Sequence, residues 1–156
     1  METGKKDHER GGHILFELLR GGFPSHTAQQ CRAAFYHNLS PDPVDQSITA
    51  ELMKHRDKHS ADKYGVQLIE VYVDHAYSAE TERPAFEQML EDARNGRFDC
   101  IITKSIERFA PTSEETIQVI EELLSLPNPV TVIFESDMLD SNVIHSVIPI
   151  LRGCYI

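Results

Sequence analysis

The chain has 156 residues, 40% hydrophobic and 26% charged, with a formal net charge of −10. That length suits one domain with a real core, and the acidic balance argues against a strong general binder of nucleic acid or anionic membrane, leaving room only for a local basic cluster. Cys31, Cys100 and Cys154 are far apart in sequence, odd in number and without paired spacing. They read as reduced thiols of a cytoplasmic protein, not as a disulfide frame or zinc site. No apolar run approaches the roughly 20 residues that span a bilayer, and the polar N-terminus is not a secretory signal.

Residues 1–30 surround a short apolar patch, Ile14 to Leu19, with Gly-Gly pairs. They are expected to form an appended, mobile tail, and residues 31–156 the folded domain. Ala33-Ala34-Phe35-Tyr36 reads as the first strand, closed by the turn Ser40-Pro41-Asp42-Pro43. Ser47 is placed to cap a helix reaching about Tyr64, with Ile48, Leu52 and His55 inward and Gly65 as its stop. Residues 67–74 alternate as a strand near a sheet edge would. Pro84 suits the first turn of the next helix, and Phe86, Met89, Leu90 and Ala93 form its inner stripe.

The apolar run Cys100 to Ile102 predicts a strand buried on both faces, which then turns abruptly charged at Lys104, Glu107 and Arg108. Thr112 followed by Glu115 matches a capping box for a helix to Leu126, with Ile117, Ile120, Leu123 and Leu124 inward. Residues 130–134 predict another strand, and residues 142–151 a last helix that Pro149 should bend or end. Alternating strands and helices predict an α/β fold, a mostly parallel sheet of four to five strands with helices on both faces. In such sheets ligands sit beyond the carboxyl ends of the strands, so the charged loop after residue 103 marks the expected site.

Neither a Gly-x-Gly-x-x-Gly turn nor a Gly-Lys-Ser/Thr phosphate loop is present. The strand ends instead offer a hydroxyl, Ser40, with Asp74, Arg83, Lys104, Glu107 and Arg108. A serine among arginines suits phosphoryl transfer, because guanidinium forks match phosphate oxygens and hold charge as it builds.

Four segments carry a more specific pattern: residues 72–78, residues 83–96, Asp99-Cys-Ile-Ile-Thr-Lys-Ser-Ile-Glu-Arg-Phe-Ala110, and Val132-Ile-Phe-Glu135 with Asp140. From about Arg32 to Ser141 the chain resembles the catalytic domain of serine site-specific DNA recombinases, the resolvases, invertases and large transposon integrases, and most of all the large transposon type. Tyr36-His-Asn-Leu-Ser40 looks like the family's Tyr-x-Arg-Val-Ser, which makes Ser40 the counterpart of the nucleophile. The resemblance implies a metal-free and cofactor-free reaction in which Ser40 attacks a DNA phosphodiester, forms a phosphoseryl link and frees a hydroxyl. Arg83 and Arg108 match arginines around the scissile phosphate, with Tyr36, Asp42, Asp74, Lys104 and Glu107 in support. DNA and other recombinase subunits are the implied partners, in a homo-oligomer.

The departures are equally specific. Asn38 stands where the family has an arginine beside the nucleophile, and Pro111 where it has the arginine ending the Arg-Phe-Ala-Arg run. Ala79-Glu80 replaces a Gly-Thr, Glu51 replaces a glutamine, and the chain stops at Ile156, before the family's long dimer-forming helix and DNA-binding region. Two missing cationic contacts predict impaired chemistry. The competing expectations are a non-catalytic interaction module that kept the fold, and an unrelated α/β phosphate- or nucleotide-binding domain.

Simpler roles are also open to these residues. Arg83 could merely begin a helix, Glu107 and Arg108 form a surface ion pair, and the acidic residues from Glu87 to Asp92 line a solvated face. His55 and His59 lie one helical turn apart but read as solvated, and Cys100 reads as a small core residue.

Overall fold

The computed structural model describes residues 31–39, 49–76, 78 and 80–153. The expected tail at 1–30, the turn at Ser40 and Asp42, and the Ser47 cap lie outside the described residues. Strand β1 (Arg32–Asn38), helix α1 (Ala50–Tyr64), β2 (Gln67–Asp74), α2 (Pro84–Arg94), β3 (Cys100–Thr103), α3 (Ser113–Leu124), β4 (Thr131–Phe134), β5 (Leu139–Asp140) and α4 (Ser141–Gly153) follow in order, with a 3-10 turn at Ile106–Arg108.

The sheet runs β2-β1-β3-β4-β5. The first four strands are parallel and only β5 is antiparallel, paired with β4. The order places β1 and β3 inside and β2 at the edge, as the alternation of residues 67–74 predicted. Cys100, Ile101 and Ile102 are all wholly buried, because helices cover both faces. One face packs Ala34, Tyr36, Ile101, Val132 and Phe134 against α2 and α3, while Ala33, Phe35, Cys100, Ile102 and Ile133 face Ala61 of α1.

Helix α2 behaves as its pattern predicts. Pro84 occupies the first turn, and Phe86, Met89, Leu90 and Ala93 are buried. Asp92 is buried beside them, contrary to a solvated acidic face. Its carboxylate accepts from the Tyr72 hydroxyl at 2.5 Å, Arg97 at 2.8 Å and Gln88 at 3.1 Å. Burial pushes this carboxyl up, but those donors outweigh it and hold it below the ordinary range.

Helix α1 departs further from expectation. Thr49 caps it, its hydroxyl accepting from the Leu52 amide at 3.2 Å, and Gly65 ends it at φ 73°. The inward stripe is Met53, Asp57 and Ala61, one turn apart, whereas Leu52 and His55 are exposed. A buried aspartate is tolerated because His37 meets it at 2.6 Å. His55 and His59 are both exposed, as read from the sequence.

Thr112 caps α3 by accepting from the Glu115 amide at 3.1 Å. Ile120, Leu123 and the unforeseen Thr116 are buried; Ile117 and Leu124 are half-buried, and the helix ends at Leu124 instead of Leu126. Pro149 does not end α4, which continues to Gly153. The ring removes one N–H close to the helix terminus, a loss the remaining turns sustain. Among the described residues no helix is long and apolar enough to cross a membrane.

The outer edge of β2 carries two irregularities. Ala33 pairs with Leu68 and Ala34 with Glu70, so Ile69 is an extra residue that bulges from the ladder. Next to it, the Glu70 carboxylate accepts from the Val71 amide at 3.1 Å.

Candidate functional site

The carboxyl ends of β1, β2 and β3 meet, with Asn38 opposite Asp74 and Tyr36 opposite Thr103. Tyr36 is wholly buried and its hydroxyl donates to Asp74 Oδ2 at 2.9 Å. That carboxylate also accepts from the amides of Ala85 at 3.0 Å and Phe86 at 2.9 Å. Asp74 therefore caps α2 from the neighbouring strand, satisfying amides that the helix itself leaves unpaired. Burial and the adjacent carboxylate push the Tyr36 phenol well above its ordinary pKa, and the nearby Arg83 guanidinium only partly offsets them. The phenol stays protonated and acts as a fixed donor.

Arg83 sits immediately before α2 and is half-buried, not merely solvated. Its Nη1 donates to the Phe109 carbonyl at 3.1 Å, tying the loop after β2 to the loop after β3. Its Nε is buried and has no partner among the described residues. The guanidinium also lies close enough to the Tyr36 phenol to lower its pKa in part. Beneath it, Tyr36, Phe86, Phe109 and Phe134 pack edge-to-face at centroid distances of 5.3–6.2 Å. This packing makes a stiff floor.

Pro111 joins Arg83 at a cavity of about 400 Å³ between the starts of α2 and α3. Glu82, Glu87 and Glu115 share its lining. An arginine at Pro111 would add a cation here; with proline, carboxylates outnumber the guanidinium.

Asn38 is committed elsewhere. Its Oδ1 accepts from the Ala76 amide at 2.8 Å, and its Nδ2 donates to the Ala76 carbonyl at 3.1 Å. Lys104, Glu107 and Arg108 are exposed on the loop after β3. The 3-10 turn carrying Glu107 and Arg108 is anchored where Asp137 accepts from the Ile106 amide at 2.8 Å, and Ser136 donates to the Lys104 carbonyl at 2.8 Å. The structure brings Tyr36, Asp74 and Arg83 together at the strand ends, Tyr36 bonded to Asp74 and Arg83 to the Phe109 carbonyl. It leaves Lys104, Glu107 and Arg108 outside that group.

Two polar pairs escaped the sequence reading. His37 meets Asp57, and the Tyr64 hydroxyl donates to Glu135 at 2.6 Å. Burial and Glu135 push the Tyr64 phenol upward. Their signal was present as a polar stripe: Asp57 and Tyr64 lie two turns apart on α1, on the side of Met53 and Ala61. Among the described residues, no group of three or more His, Cys, Asp or Glu is arranged to hold a metal ion.

A five-stranded, mostly parallel α/β sheet with an arginine-bearing cavity beyond its carboxyl edge defines a domain of the resolvase catalytic class. The chain belongs to the resolvase N-terminal domain family, which matches residues 33–146. It is thus a recombinase-type domain, of the class that carries out site-specific recombination. No curated protein matches the sequence. Among solved structures, the N-terminal catalytic domain of TP901-1 integrase is similar, with a TM-score of 0.59 at 18% identity over 80% of this chain and 99% of that one. A resolvase family site-specific recombinase from Streptococcus pneumoniae has a TM-score of 0.54 at 21% identity over 81% and 91%. At these identities both likenesses are likenesses of fold.

Proposed function

We propose that this chain is the catalytic domain of a serine recombinase that acts on DNA phosphodiesters through Ser40, with its phosphate chemistry impaired by two lost cations. In the reaction, the Ser40 oxygen bonds to phosphorus, a deoxyribose hydroxyl leaves, and religation reverses both changes. The observation that carries the reading is Arg83: a guanidinium that is braced against the Phe109 carbonyl and lines the cavity beyond the strand ends. Arg108 supplies the second arginine, and Tyr36 and Asp74 brace the strand ends beneath. The bond energy kept in the phosphoseryl link removes any need for a nucleotide cofactor.

Two features of the same geometry support the impairment. The Asn38 carboxamide is spent on Ala76, and Pro111 leaves the cavity with three glutamates. If each lost cation were a preorganised transition-state donor worth roughly a hundredfold to a thousandfold, the pair would slow cleavage by about four decades or more.

The decisive experiment grafts this domain onto an intact recombinase's dimer helix and DNA-binding region and traps a covalent Ser40–DNA adduct on a nicked suicide site. The native domain should give almost no adduct, and Asn38→Arg with Pro111→Arg should raise it. Efficient adduct formation by the native domain would overturn the impairment. No Ser40-dependent adduct from the restored chimera would overturn the catalytic reading. The commitment of Asn38 to Ala76 favours, in that event, the second reading: an interaction module that pairs with an intact recombinase subunit, checked by co-purification of the two.

A further inference from the structure

Cys31 and Cys100 are separated by 69 positions, yet their sulfur atoms lie 3.3 Å apart. Cys31 directly precedes β1, and Cys100 opens β3, the strand that pairs with β1. Both cysteines are free thiols. Cys100 is wholly buried whereas Cys31 is only half-buried, so one member of the pair meets solvent and the other does not. The backbone around them is fixed: the Gln67 amide donates to the Cys31 carbonyl at 2.8 Å, and the Asp99 amide donates to the Arg32 carbonyl at 2.8 Å. A bidentate Arg32–Asp99 ion pair, with contacts of 3.0 and 3.3 Å, holds the same two strand starts together.

We propose that Cys31 and Cys100 form an oxidisable dithiol that closes to an intramolecular disulfide, stapling the starts of β1 and β3. The sulfurs need to approach by roughly 1.2 Å to reach the disulfide length of about 2.05 Å, and Cys31, just ahead of the strand and only half-buried, is the side chain with room to move. The oxidant is a hydroperoxide. A sulfur lone pair of Cys31 attacks the peroxide oxygen, the O–O bond breaks, and Cys31 becomes a sulfenic acid as the hydroperoxide leaves as alcohol or water. The Cys100 sulfur then attacks the Cys31 sulfur; the S–S bond forms, the S–O bond breaks, and hydroxide departs with the Cys100 proton as water.

Burial and the hydrogen bond with Cys31 push the Cys100 thiol well above its ordinary pKa, the bond being the larger cause. Cys100 is wholly buried away from outside reagents, and the one electrophile within its reach is an oxidised Cys31 at 3.3 Å. This site is at the opposite ends of the strands from the arginine group. Its formation does not depend on the recombinase chemistry proposed above.

The test uses the whole chain carrying Cys154→Ser, so that only the two thiols remain. The protein is treated with hydrogen peroxide, denatured in N-ethylmaleimide, and mapped by mass spectrometry without reduction. The expected product is one Cys31–Cys100 linked peptide pair, with neither cysteine alkylated, reversed by dithiothreitol. Cys31→Ser should slow loss of the Cys100 thiol by about tenfold or more, as a buried thiol without its partner is inert. The proposal is overturned if Cys31 proceeds to sulfinic acid while Cys100 remains alkylable. It is equally overturned if Cys31 links to a second chain, or if neither thiol reacts while free cysteine in the same solution is consumed.

Discussion

Asn38 and Ala76 bond to each other twice, carboxamide to backbone amide at 2.8 Å and carboxamide to backbone carbonyl at 3.1 Å. The side chain standing where a phosphate-binding arginine is expected has become a clamp between the end of β1 and the loop after β2. Asn38→Ala strands a donor and an acceptor on the buried Ala76 and should lower stability by about 2 kcal/mol. Asn38→Arg should cost about the same, so a restored cation needs a compensating stabiliser elsewhere. Urea denaturation of the three proteins checks this, and an unchanged midpoint for Asn38→Ala would show the clamp to be without weight.

The Tyr36–Asp74 bond predicts a pronounced asymmetry. Tyr36→Phe removes one donor from a carboxylate that retains two amides and should cost about 1 kcal/mol. Asp74→Ala leaves the phenol and two helix amides unsatisfied together and should cost at least about 3 kcal/mol. In a double-mutant cycle the two changes should be strongly non-additive. Additive free energies would mean that Asp74 acts only as the helix cap.

Asp140 makes stability depend on pH. Its side chain lies just before α4, where Oδ1 accepts from the Val143 amide at 3.0 Å, while Oδ2 is buried with no partner among the described residues. Burial raises its pKa, with the Val143 and Asn142 amides opposing the rise. The folded state then holds the proton more tightly than the unfolded state, so this contribution is complete below the unfolded carboxylate range and is lost as pH rises through the raised folded value. Asp140→Asn keeps a capping oxygen and removes the charge. It should raise the melting temperature near pH 7, with the gain shrinking towards about pH 3, where both forms are neutral. A pH-independent difference would assign the effect to packing.

Gly65 closes α1 at φ 73°. A β-carbon in that left-handed conformation costs about 1–2 kcal/mol, so Gly65→Ala should destabilise by that amount and Gly65→Asn by clearly less. Equal effects of the two would place the penalty in side-chain contacts instead of the backbone.

What could be read before the structure was known is what depends on near neighbours. The stripe Phe86, Met89, Leu90 and Ala93, the proline that opens α2, the glycine that ends α1 and the edge character of β2 are all local patterns. The four recombinase-like segments were local too, and they carried the family. The errors fall where a distant residue decides. Asp57 turns inward because His37 awaits it, 20 positions away, and Asp92 because Tyr72 does, also 20 positions away. Asn38 is held by Ala76 at a separation of 38, and no spacing rule brings Cys31 beside Cys100. At the site, Arg83 was identifiable by pattern, but its bond to the Phe109 carbonyl depends on how two loops approach one another.

The bulge at Ile69 and the carboxylate folded over the Val71 amide change what the sheet can do in company. An edge strand of eight residues would ordinarily offer a row of amides and carbonyls to any extended chain. Here one residue interrupts the ladder's rhythm and a negative charge covers a donor beside it. The far edge is a two-residue strand that turns at once into a helix. Among the described residues neither border invites strand addition, and a Glu70→Thr change would open the one border long enough to seed aggregation.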